Sequence, residues 1–82
     1  MEIRNRIGLS FNAELEQGSV TISALCVVTG KEYSVTCKLS EYSDWQTGMI
    51  IQNALPDMPR EQREFLQSQM SPEGFNQIFP KE

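Results

Sequence analysis

"IGLSFNAELEQGSVTISALCVV", residues 7–28, decides the fold. Ile7, Leu9, Phe11, Ala13 and Leu15 are apolar, and Gly8, Ser10, Asn12 and Glu14 stand between them. A period of two marks a strand with one face buried. Beyond Gln17 and Gly18 the apolar set moves to Val20, Ile22, Ala24, Cys26 and Val28. A two-residue hairpin loop at Gln17 and Gly18 pairs Leu15 with Val20, Ala13 with Ile22, Phe11 with Ala24, Leu9 with Cys26 and Ile7 with Val28. Every apolar residue then meets another, whereas a slip of one residue would set each against a polar one.

The pattern repeats downstream. "TG", residues 29 and 30, reads as a second short loop, and "EYSVTCKL", residues 32–39, places Tyr33, Val35, Cys37 and Leu39 on alternate positions. That register sets Cys26 opposite Tyr33 and Ala24 opposite Val35. The expected sheet is a three-stranded antiparallel meander over about residues 6–40. Both cysteines share its apolar face, with Cys37 opposite Ile22. An offset of four residues from the partner of Cys26 is roughly 13 Å at about 3.3 Å per residue, which excludes a disulfide. Both are expected as free, packed thiols.

A sheet with one apolar face must bury it, and the cover has to come from residues 43–79. Ser43 and Gln46 fit a capping box, opening a helix that runs to about Ala54. Trp45, Gly48, Ile51 and Leu55 recur on it at helical spacing, with Gly48 suggesting close approach to the sheet. Pro56 ends that helix. Pro59 begins a second, to about Gln69, with Phe65 and Leu66 as its apolar face, Met58 and Met70 at its ends, and an Arg60–Glu64 pair at i, i+4. Ser71 and Pro72 cap a third, short helix whose apolar side is Phe75, Ile78 and Phe79, and Pro80 stops it. The whole reads as α+β: one domain, residues 1–82, with the meander covered on one face by two to three short C-terminal helices over about residues 43–79.

Composition narrows the function. The chain has 82 residues, the scale of one domain. Its net charge is −4 and its seven Lys and Arg residues are scattered, whereas duplex nucleic acid is held by clustered cations. No direct duplex binding is expected. Apolar runs fall far short of a membrane span, and the charged "MEIRNR" start has no secretory h-region. The expected location is the cytoplasm. With no His, Ser-His and Cys-His nucleophiles are ruled out, and two core-facing cysteines do not complete a zinc ligand set. The glycines stand singly, which rules out a phosphate loop. Asp57, Glu61 and Glu64, interleaved with Arg60 and Arg63, read as a solvated helix face. No catalytic, metal or cofactor residue is assigned, and the chain is read as non-enzymatic. Trp45 reads as core. Leu25 and Val27, on the otherwise polar back of the sheet, and Phe75 and Phe79, near the end of the chain, are the candidate protein interface; for Phe75 and Phe79 a core position that helps to close the sheet is equally open. The open sheet edges invite pairing with a second copy.

The C-terminal half carries "W..G..IQ.A.P....E..REFL.S...PE.F..IF" over about residues 42–79: Trp45, Gly48, Ile51, Gln52, Ala54, Pro56, Arg63, Glu64, Phe65, Leu66, Ser68, Pro72, Glu73, Phe75, Ile78 and Phe79. This resembles a segment of short uncharacterised bacteriophage-encoded proteins from tailed phages and microviruses. Gln62, Gln69, Gly74 and Phe75 depart from it, where those sequences often have Glu, Gly, Glu and Trp. The resemblance implies a phage or prophage origin and no particular activity. Small, acidic proteins without catalytic residues include inhibitors of bacterial immunity such as anti-CRISPR proteins, an analogy of class alone. The leading expectation is therefore a phage accessory protein that binds a host or phage protein. A phage structural or assembly protein that homo-oligomerises, as a homodimer in the simplest case, and a binder of a small nucleotide signal are the alternatives.

Overall fold

The computed structural model describes residues 1–80. Over the described residues the chain is α+β, with four strands and four short helices in the order β1 (Glu2–Arg4), β2 (Ser10–Glu16), β3 (Ser19–Leu25), β4 (Glu32–Lys38), α1 (Leu39–Gln46), α2 (Ile51–Ala54), α3 (Arg60–Ser68) and α4 (Pro72–Ile78). The strands form one antiparallel sheet in sequence order, one strand more than the alternation suggests. The additional strand is β1, which pairs Ile3 with Phe11.

The first hairpin has the expected register. Ala13 faces Ile22 and Leu15 faces Val20. Gln17 and Gly18 both take positive φ, 45° and 84°, the two-residue turn whose twist suits the flanking strands. Upstream, alternation overstates the strand. β2 starts at Ser10, the chain at residues 5–9 turns back toward β1, and Ile7 is exposed. Asn5 builds that turn. Its side-chain oxygen accepts the N–H groups of Ile7 and Leu9 at 3.1 and 3.0 Å, while its amide donates to the Leu66 carbonyl at 2.7 Å.

The second hairpin corrects the expected register by two residues. Ala24 faces Tyr33, Ile22 faces Val35 and Cys37 faces Val20. The loop is longer than "TG" because strand pairing stops at Leu25 and Glu32. Cys26 then closes a wider turn by donating its N–H to the Lys31 carbonyl at 2.8 Å. A shift of two preserves the face of every side chain, so the apolar layer survives the correction. Phe11, Ala13, Val20, Ile22 and Val35 are buried, with Leu9, Ala24, Tyr33 and Cys37 partly so.

The first helix begins earlier than the expected cap. α1 continues directly from β4, and its Leu39 N–H donates to the Gly18 carbonyl at 2.8 Å. One donor left over at a helix start is thus taken by the sheet, and Ser43 lies inside the helix. Gly48 lies outside it with φ of 125° and nothing near its Cβ position. It breaks the helix and makes no close approach to the sheet. The rest of the stripe is buried: Tyr42 and Trp45 from α1, Ile51 and Ala54 from α2, then Leu55. Phe65 and Leu66 of α3 are fully enclosed. The Phe65 ring meets Phe11 and Tyr33 edge-on, with centroids 5.4 and 4.9 Å apart, an arrangement that adds about 0.5–1.5 kcal/mol per pair beyond burial. The Arg60–Glu64 pair does not form. Among the described residues the ion pair present is Lys31 with Glu73, at 3.3 Å on the surface.

Candidate functional site

Helix α4 determines what the C-terminal end presents to solvent. Ser71 caps it as the sequence suggests, accepting the Gly74 N–H at 3.1 Å, and Pro72 occupies the first turn. Ser71 and Gly74 are both buried. A Cβ at Gly74 would lie 2.6 Å from the Cys26 Sγ and 3.0 Å from the Val28 Cβ. The helix therefore docks through its bare backbone against the turn after β3. Its apolar side is left outside: Ile78 and Phe79 are 50% and 56% exposed, and Phe75 is half-buried. This corrects the expectation that the aromatic residues of the third helix help to close the sheet. The Phe75 and Phe79 rings stack at a tilt, 4.9 Å between centroids.

These rings line a groove of roughly 420 Å³ between α3 and α4, together with Arg60, Glu61, Glu64, Pro72 and Asn76. Its floor is aromatic and its α3 wall carries charge of both signs, a combination suited to an apolar side chain framed by polar contacts. Leu25 and Val27 do not join it. Both are exposed, at 59% and 64%, but Leu25 borders a shallower depression on the sheet beside Asn12, Ser23 and Gln69. Two hydrogen bonds anchor that corner: Gln69 donates from its side-chain amide to the Leu25 carbonyl at 2.9 Å, and the Val27 N–H donates to the Gln69 carbonyl at 3.1 Å. The candidate interface residues thus fall on two separate surfaces.

Both cysteines are free. Cys26 points away from Cys37, toward α4, where its Sγ accepts the N–H groups of Ser71 at 3.3 Å and Val28 at 3.4 Å. Burial pushes its thiol up, but hydrogen bonds from Ser71 and Thr29 outweigh that and bring it down to about 6. Cys37 moves the other way, to about 11, through burial and the neighbouring Glu41 carboxylate. Tyr42 is raised to about 12 by burial and by Cys37, and its buried hydroxyl has no hydrogen-bond partner among the described residues. Among the described residues no group of three or more Cys, Asp or Glu side chains is placed to hold a metal ion, and no helix is long and apolar enough to cross a membrane.

Sequence reasoning missed Asn5 and the outward turn of α4. The latter had a readable signal: Ser71 and Gly74 are three apart and share a helix side, and Phe75 and Phe79 are four apart and share another. No known protein family, curated protein or solved structure matches the chain.

Proposed function

We propose that this chain is a small non-enzymatic accessory protein of a phage or prophage that acts by binding another protein, with the α3–α4 groove as its anchoring surface. The observation that carries the reading is the docking of α4 through Gly74 and Ser71, which leaves Ile78 and Phe79 in solvent and Phe75 half-buried beside them. Exposed aromatic residues that stack on one another beside a groove are the residue types that dominate binding energy at protein interfaces. The phage assignment rests on the C-terminal resemblance, and a host immune factor is the class of partner suggested by small acidic inhibitors. The acidic balance of the chain would steer encounter with a basic partner and make association sensitive to salt.

The test is affinity capture from bacterial lysate with three baits: the wild type, a Phe75→Ser/Phe79→Ser variant and a Leu25→Ser/Val27→Ser variant. A stoichiometric protein retained by the first and third baits and lost from the second supports the reading. Retention by all three, or loss from the third alone, overturns the placement on α4.

A further inference from the structure

We propose that β4 is a homodimer edge, pairing antiparallel with β4 of a second copy about a two-fold axis at Val35 to give a continuous eight-stranded sheet. The two outer edges of the sheet differ. β1 has only three residues, of which Glu2 and Arg4 are charged, and the Met1 nitrogen beside it donates to Asn12 Oδ1 at 3.1 Å. A short, charged edge of this kind resists pairing. β4 has seven residues and lacks proline and inward-facing charge.

Its hydrogen-bonding groups are set out for a partner. Lys31 and Leu39 bond across to Cys26 and Gly18. Antiparallel ladders alternate, so Tyr33, Val35 and Cys37 bond to β3, while Glu32, Ser34, Thr36 and Lys38 turn their N–H and C=O groups to the open side. Among the described residues no backbone bond reaches those four from that side. A second strand must oppose outward residues to outward residues, and this keeps apolar side chains facing apolar ones.

With the axis at Val35 every pair is complementary. Glu32 faces the other copy's Lys38 at both ends, Ser34 faces Thr36, Tyr33 faces Cys37, and Val35 faces itself. Opposite charges and hydroxyl pairs directly across a strand pair are stabilising, and a thioether or thiol sulfur beside an aromatic ring is a favourable contact. Neither Glu32 nor Lys38 has an ion-pair partner within the chain among the described residues. Tyr33 and Cys37 are the half-buried residues of β4 on the apolar face, and the second copy would cover them. Moving the axis by one residue either way breaks both Glu32–Lys38 pairs; in one direction it also sets Glu32 against Ser40 of α1.

The surface is separate from the α3–α4 groove, and the two proposals stand or fall independently. The test is light scattering on a size-exclusion column over a concentration series, with circular dichroism as the fold control. The wild type should move from monomer to dimer. Glu32→Lys and Lys38→Glu should each weaken the dimer roughly tenfold, the effect of turning two attractive cross-strand pairs repulsive, and the double variant should restore it. Ser34→Pro, which removes one outward N–H, should remain folded and monomeric. Phe75→Ser/Phe79→Ser should dimerise like the wild type. A wild type that stays monomeric throughout, a dimer indifferent to the charge reversals, or one lost only with Phe75 and Phe79 would overturn the proposal.

Discussion

Replacing Asn5 with alanine should remove a larger share of stability than any other single polar side chain. Asn5 is 4% exposed, and its side chain makes three hydrogen bonds: two accepted from Ile7 and Leu9, and one donated to the Leu66 carbonyl of α3. At a net contribution of roughly 0.5–1.5 kcal/mol per bond, the loss is about 2–4 kcal/mol. The upper part of that range applies if water does not reach the stranded carbonyl. Domains are stable by about 5–15 kcal/mol, so the loss is a large fraction of the whole. Asn5→Asp sharpens the test, since it keeps the oxygen that accepts both N–H groups but sets a carboxylate oxygen against the Leu66 carbonyl. Urea unfolding followed by Trp45 fluorescence would place both midpoints well below the wild type. An alanine variant within about 0.5 kcal/mol of the wild type, the usual range for surface substitutions, would refute the claim that this turn ties β1 and β2 to α3.

Gly74→Ala should destabilise the fold by about 1–2 kcal/mol, because overpacking against Cys26 and Val28 outweighs a helix-propensity gain of at most about 1 kcal/mol. Most of that loss should vanish in a Cys26→Ala background, as a double-mutant cycle by urea unfolding would show. The Cys26 thiol has a pH signature of its own. Its value falls from the usual 9.0 to about 6 on folding, so its contribution is complete above about pH 9 and is lost as pH falls through about 6. The stability difference between the wild type and Cys26→Ala should therefore widen from pH 6 to pH 9. A difference that stays flat, or widens toward acid, would show that the thiol is not held down by hydrogen bonds from Ser71 and Thr29.

The sheet was legible wherever a side chain's face alone decided the outcome. Alternation located β2, β3 and β4 and their common apolar layer, and it survived a two-residue error in register because such an error leaves faces unchanged. The error arose at Cys26, which continues the alternation of Ile22 and Ala24 but bonds to Lys31 across a turn wider than Thr29 and Gly30 while its thiol meets Ser71. Only the tertiary contact with α4 shows this. β1 carries one apolar residue, Ile3, between two charges, too little for a period to be seen. The start of α1 was hidden because Gly18, far away in sequence, takes the donor that a local cap would otherwise satisfy. At the candidate surface, the residue types of Phe75 and Phe79 were readable and left core and interface both open. Their exposure follows from the absence of a side chain at Gly74, which lets the backbone, and not the aromatic face, dock on the turn after β3.

The proposed anchoring of a protein partner on the outward face of α4 has a readout in solution. Amide hydrogen exchange, read by mass spectrometry on the chain alone and in complex with the protein it captures, tests this most directly. A seven-residue helix docked at one side should exchange quickly in the free chain. Binding should slow exchange across residues 72–79 and at the start of α3, with little change at residues 23–28. Slowing confined to residues 23–28, or to β4, would contradict it.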